Sequence, residues 1–156
     1  MHDAYQRFVA RGGLWVLAQS VLMTGVIVCG VLFHGDWSRI SLVALGAVGF
    51  VIGGYFGIVG VVDLGRNRTP FPVPLDSARL IQTGIYARVR HPLYTGVIFA
   101  FLGWAGIWQS VPAFVIALVT AMFFNAKARR EERWLQERFS EYADYAKRVP
   151  RFIPSL

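Results

Sequence analysis

The sequence predicts an all-α integral-membrane protein, and three observations predict it. Of its 156 residues 55% are hydrophobic, two stretches of 20 and 23 residues carry no charge, and the formal net charge of +7 is distributed one-sidedly between the apolar stretches. A helix of about 20 apolar residues crosses roughly 30 Å of hydrocarbon with every backbone hydrogen bond made internally. No repeat of fixed period and no low-complexity tract interrupts the chain, which reads as a single domain over 1–156.

The first span is expected at Leu14 to Phe33. It exceeds the roughly 7 to 15 residues of a signal-peptide core and lacks a small-x-small cleavage site, so it is expected to be retained. Cys29, the sole cysteine, lies inside it and reads as a packing residue; no internal disulfide and no cysteine metal cluster can be built. The second span is expected at Ile40 to Val62, where Gly49, Gly53 and Gly57 recur at steps of four and would give one face for close helix contact. Arg66 to Pro74, with its alternating prolines, favours an extended linker.

A third apolar region, Leu93 to Ala126, holds Gln109-Ser110-Val111-Pro112, a polar pair and a proline suited to a tight turn. It divides into spans at about 93–108 and 112–126, both short for a bilayer. Beyond it, Leu135, Phe139, Tyr142, Ala146 and Val149 recur at steps of 4, 3, 4 and 3, which predicts an amphipathic tail helix over 127–149 that continues the fourth span. Its aromatic stripe is expected to pack over the central loop. No C-terminal prenylation cysteine is present, so that lipid anchor is not expected.

Charge sets the orientation. With the N-terminus inside, fifteen of the sixteen Lys and Arg residues fall on the inner side and only Arg39 falls outside. The expected localisation is a cytoplasmic (inner) membrane with both termini, the central loop and the tail facing the cytoplasm. That topology accounts for the basic charge, and no nucleic-acid motif accompanies it, so a nucleic-acid partner is not expected.

The chemical centre is expected at Gly84 to Gly96, a charged and aromatic segment between two spans. Pro92 suits the first turn of the third helix and His91 the cap before it. The helix start would attract an anion such as a cofactor carboxylate. Tyr86 and Tyr94 offer ring faces to a cation, while Arg90 and His91 offer donors. Across the hairpin, Glu131 and Glu132 return to the same surface, where one carboxylate would hold an amino group or ribose hydroxyls and the other would pair with neighbouring arginines.

Four blocks in order, Leu80-Ile81-Gln82-Thr83-Gly84-Ile85-Tyr86, Arg90-His91-Pro92-Leu93-Tyr94-Thr95-Gly96, Glu131-Glu132 and Lys147-Arg148-Val149-Pro150, give residues 64–154 a likeness. The chain resembles the isoprenylcysteine carboxyl methyltransferase family, which belongs with the phospholipid methyltransferases of membranes. The resemblance implies S-adenosylmethionine as cofactor, bound by Tyr86, Arg90, His91, Pro92, Tyr94, Gly96 and one of Glu131 or Glu132. It also implies a lipid-like or prenylated acceptor near Arg148, with a prenylcysteine-type carboxylate ahead of a phospholipid amine. Arg148 and Glu131 are then the catalytic candidates. The four spans match compact prokaryotic members, whereas animal members carry extra N-terminal helices.

Two other classes stand beside this reading. Membrane sterol reductases share an Arg-His-Pro-x-Tyr-x-Gly-like stretch, but Gly-x-Gly-x-x-Gly is absent here and 156 residues leave room for fewer helices. A non-enzymatic scaffold would explain the spans and basic loops but not the clustering of His91, Tyr94 and the glutamates.

Overall fold

A computed structural model describes residues 6, 9–10, 12–65, 71 and 79–154. Four membrane-type helices run up and down: α1 Gly13–Leu32, α2 Ile40–Leu64, α3 Pro92–Trp108 and α4 Val111–Arg138, followed by a short α5, Tyr142–Arg148. Among the described residues a 3-10 turn, Gly84–Ala87, precedes α3, and no strand occurs. Helices α1, α2 and α4 are long and apolar enough to cross a membrane. At 17 residues, α3 spans about 25 Å and is shorter than the usual crossing. The expectation of two short hairpin arms holds for α3 and is corrected for α4, which runs 28 residues instead of ending near 126.

The short helix is central. It packs against α1, α2 and α4, and the core of Val26, Phe101, Ala105, Ala113 and Ala117 lies where α1, α3 and α4 meet. Large apolar residues such as Leu17, Leu45, Val51, Ile58 and Met122 point outward, as a hydrocarbon surround requires. The α2–α3 seam is built from glycine, though with a different period from the one the sequence suggests. Gly46, Gly53 and Gly60 are buried, at steps of seven, and a methyl on Gly46 would come within 2.6 Å of the Gly103 carbonyl. Gly57, expected on the contact face, has open space beside it. Gly53 belongs to both sets and Gly49 also packs against Gly103 and Phe99, so the expected contact face is present, and the seven-residue set marks its most crowded positions.

The α3–α4 turn forms where Gln109-Ser110-Val111-Pro112 predicts it. Gln109 takes a left-handed conformation, Ser110 caps α4 by accepting from the Ala113 amide at 3.4 Å, and Pro112 sits in the first turn of α4. Trp37 Nε1 ties the α1–α2 connection to the same end by donating to the Ile107 carbonyl at 3.1 Å, and Ser110 Oγ ties α1 there by donating to the Cys29 carbonyl at 2.9 Å.

At the opposite end the tail departs from the single helix expected over 127–149. Helix α4 continues past the apolar region to Arg138; the backbone is then extended at Phe139 and helical again from Tyr142. Folding back buries Tyr142, Tyr145 and Val149 against Leu80, Leu135 and Phe139, whereas a straight helix would leave them in solvent. The Tyr145 hydroxyl donates to the Tyr86 carbonyl at 2.7 Å, so the stripe covers the central loop as expected. The linker at 66–74 lies outside the described residues apart from Phe71.

Candidate active site

The loop is held from three sides before any ligand is considered. The Asp63 carboxylate at the end of α2 accepts from the Ile85 amide at 2.7 Å. Gly84 has φ +60, and a side chain there would collide with that carboxylate, so glycine is required by both conformation and space. The tail supplies the other anchors: the Arg90 and His91 amides donate to the carbonyls of Pro150 and Arg151 at 2.9 and 3.1 Å, and Thr95 Oγ1 donates to Phe152 at 2.8 Å.

His91 does stand at the cap position of α3, but its side chain caps no backbone group. Its ring turns instead to α4, where Nε2 lies 3.1 Å from Glu132 Oε1. A carboxylate only accepts, so that nitrogen carries the proton. Glu132 also receives Arg151, whose Nε donates to Oε1 at 2.9 Å and whose NH2 nitrogen donates to Oε2 at 2.5 Å, with Arg90 at 3.4 Å. The Glu132 hydrogen bonds favour the Arg151 cation and raise its pKa further. Arg151 reaches Asn125 as well, at 2.9 Å.

One residue earlier on α4, Glu131 points elsewhere. It accepts from the Tyr94 hydroxyl at 2.8 Å and lies 3.8 Å from His91 Nδ1. The Tyr94 ring stacks on His91, with centroids 5.2 Å apart and planes 7° from parallel, and the Lys127 ammonium sits 5.5 Å from its centroid. That ring is thus engaged by protein groups. Lys127 is itself buried and donates to Gln19 at 2.6 Å.

These groups surround a cavity of about 120 Å³. Its polar wall is Tyr86, Arg90, His91, Tyr94 and Glu131, and Tyr142 and Tyr145 close one side. Leu64 and Arg79, at the two ends of the segment 66–78, line it as well. The cavity is smaller than the roughly 300 Å³ of a usual small-molecule site. Burial raises the pKa of all three loop and tail phenols, Tyr86, Tyr142 and Tyr145, the last to about 12. All three are neutral at physiological pH.

Five of the residues singled out in the sequence therefore line one cavity, and four do not. Pro92 is at the first turn of α3, and Gly96 sits in the glycine seam, where a methyl would come within 2.7 Å of the Gly57 amide. Glu132 is consumed by Arg151, His91 and Arg90. Arg148 is exposed at the end of α5, hydrogen-bonded at 3.3 Å to the Asp144 carbonyl and to Gln82. Asp63, Lys127, Tyr145 and Arg151 were missed by sequence reasoning, and Tyr142, expected only in the packing stripe over the loop, also lines the cavity. Arg151 follows the matched Lys147-Arg148-Val149-Pro150 block directly, which is the signal that pointed near it.

Fold and site together define a helical membrane protein that gathers neutral phenols, a histidine and a carboxylate at one end of its bundle. Residues 41–142 match the model of the phospholipid methyltransferase family, and the chain belongs to that family. Over 94% of its length it is 29% identical to the nickel-cobalt-cadmium resistance protein NccN of Alcaligenes xylosoxydans xylosoxydans, covering 65% of that protein. It is 33% identical over 74% of its length to a protein-S-isoprenylcysteine O-methyltransferase of Schizosaccharomyces pombe, covering 51% of it. Over 53% of its length it is 34% identical to the mouse Delta(14)-sterol reductase TM7SF2, covering 21% of that protein. The chain thus spans less than two thirds of the length of these relatives.

Proposed function

We propose that the protein transfers a methyl group from S-adenosylmethionine to a lipid-like acceptor at the membrane, foremost a prenylcysteine-type carboxylate and alternatively a phospholipid amine. The observation that carries this reading is a pair of buried polar atoms without partners among the described residues, Arg90 Nε and the Tyr142 hydroxyl, both on residues that line the cavity. Buried polar groups are nearly always satisfied, so these two suit a ligand with carboxylate and hydroxyl groups. Family membership supplies the reaction class. When bound, S-adenosylmethionine supplies an electrophilic methyl on a sulfonium.

The chain's residues then bind, orient and exclude water. Arg90 donates to the carboxylate of the donor, and Glu131, held by Tyr94, accepts from its ammonium or ribose hydroxyls. The Tyr86 ring stabilises the sulfonium cation, since its own charge is suppressed by burial. His91, fixed by Glu132, stacks on Tyr94 and keeps that phenol aimed at Glu131. Arg148, which reaches Gln82 beside the cavity-lining Ile81, meets an anionic acceptor at the rim. In-line alignment of acceptor and methyl contributes about 7 to 11 kcal/mol in favourable cases. A carboxylate acceptor needs no base; for an amine, Glu131 takes the proton.

The same reading places the cavity, both termini and the tail at the cytoplasmic face of an inner membrane, from the charge asymmetry. Calorimetric titration of the detergent-solubilised protein with S-adenosylmethionine and, separately, NADPH tests the proposal. Saturable binding of the first alone is expected. NADPH binding alone would return the protein to the reductase class, and binding of neither would leave a scaffold. Methyl transfer to farnesylcysteine against phosphatidylethanolamine in micelles then separates the two acceptors.

A further inference from the structure

At the end of the bundle away from the candidate active site, α2 and α4 stand apart on one side of α3 and leave a trough of about 830 Å³. Leu45 and Ile52 form one wall, Phe114 and Leu118 the other, and Leu102 and Gly103 the floor. From Leu42 to Ile52 along α2 the trough runs about 15 Å. Its mouth is charged, with Asp36 and Arg39 side by side in the α1–α2 connection. The Asp36 carboxylate accepts from Ser38 N and Oγ at 3.2 and 2.7 Å, which holds it in place. Arg39 is the one Lys or Arg between residues 12 and 65, and among the described residues its guanidinium forms no ion pair with a carboxylate.

We infer that this trough holds one zwitterionic glycerophospholipid, its phosphate at Arg39, its ammonium at Asp36 and one acyl chain along the apolar walls. The gradient from a charged mouth to a wholly apolar interior is that of an amphiphile. A helix from a second copy would cover the apolar walls but offer nothing to the exposed Arg39 and Asp36 at the mouth, which an amphiphile's headgroup answers. A free anion would answer Arg39 but leave the trough unfilled. The volume lies within the roughly 300 to 1,000 Å³ typical of small-molecule sites, enough for a chain. The trough is also remote from the methyl-transfer cavity: Arg39 and Leu64 flank the length of α2, roughly 37 Å apart along the helix.

The test uses the full chain, delipidated in detergent, titrated with dipalmitoyl phosphatidylethanolamine and read by native mass spectrometry. One tightly bound lipid is expected. Arg39→Gln should weaken it at least fivefold, and so should Leu45→Trp, which narrows the trough from a wall position that is 69% exposed. Phosphatidylglycerol of the same chain length, which lacks the ammonium, should bind at least threefold more weakly. Affinities within twofold across parent and both variants would reduce the bound lipid to a non-specific annulus and overturn the site. Loss in Leu45→Trp alone, equal binding of the two lipids, or a dimer in place of the lipid adduct would equally overturn it.

Discussion

Arg151→Ala is the most informative single perturbation of the site. Arg151 contributes two charge-assisted hydrogen bonds to Glu132 and one bond to Asn125, and its carbonyl receives the His91 amide. Removing one partner of a buried pair costs about 3 to 5 kcal/mol when the remaining charge is left alone. Here Glu132 keeps His91 and Arg90, and Arg151 is 26% exposed, so solvent screens part of the interaction. The expected loss is about 2 kcal/mol, and at roughly 2 to 4 °C per kcal/mol for a chain of this size the melting temperature in micelles should fall by about 4 to 8 °C. Arg151→Lys keeps the charge but not the planar fork and should lie between the two. Because Glu132 orients His91, which stacks on Tyr94, affinity for S-adenosylmethionine should also fall about threefold to tenfold in Arg151→Ala. Melting within 1 °C of the parent, with unchanged affinity, would refute the view that Glu132 is the anchor of the loop.

The two neighbouring glutamates should separate cleanly. Glu131→Gln should weaken S-adenosylmethionine binding at least fivefold with little change in melting, while Glu132→Gln should lower melting first; the reverse assignment in calorimetry would exchange their roles. Arg148→Lys should cut methyl transfer at least tenfold, about 1.4 kcal/mol, while donor affinity stays within twofold; no change in rate would leave it a helix-terminal charge. The Tyr145 phenol, at about 12 when folded against about 10 in the unfolded chain, keeps its proton longer in the native state, so its contribution is complete below pH 10 and is lost as pH rises toward 12. Melting measured from pH 9 to 11.5 should fall more gently in Tyr145→Phe than in the parent, and parallel curves would contradict this. Cysteine at Ser140 should resist an impermeant thiol reagent outside intact cells while cysteine at Ser38 reacts; labelling in the opposite sense would invert the membrane orientation.

What was legible in the sequence was what local chemistry decides. Charge-free runs located α1 and α2, and Gln109 to Pro112 located the α3–α4 turn because proline and a capping serine act within a few residues. The break between α4 and α5 had no such mark. Neither glycine nor proline occurs from Val111 to Val149 except Pro112, and the apolar rhythm runs unbroken through Phe139. The chain bends there because Tyr145 finds a carbonyl at Tyr86, 59 residues away, which no local pattern encodes. The glycine seam was legible in part: Gly49 and Gly53 do meet α3, but the tightest positions, Gly46, Gly53 and Gly60, follow a seven-residue step that only the partner helix selects. Among the site residues, Glu131 and His91 could be located by motif, whereas the partner of Glu132 depended on how Val149 and Pro150 steer the chain back toward α4.

The strap of residues 150–152 has a consequence for timing. Translation adds roughly 5 to 20 residues per second, so Arg151 follows His91 by several seconds, after all four membrane helices have been made. Until the strap arrives, the Arg90 and His91 amides lack their carbonyls and Glu132 lacks its fork. A nascent chain can therefore have its four membrane helices made while the loop before α3 still lacks the strap that fixes it.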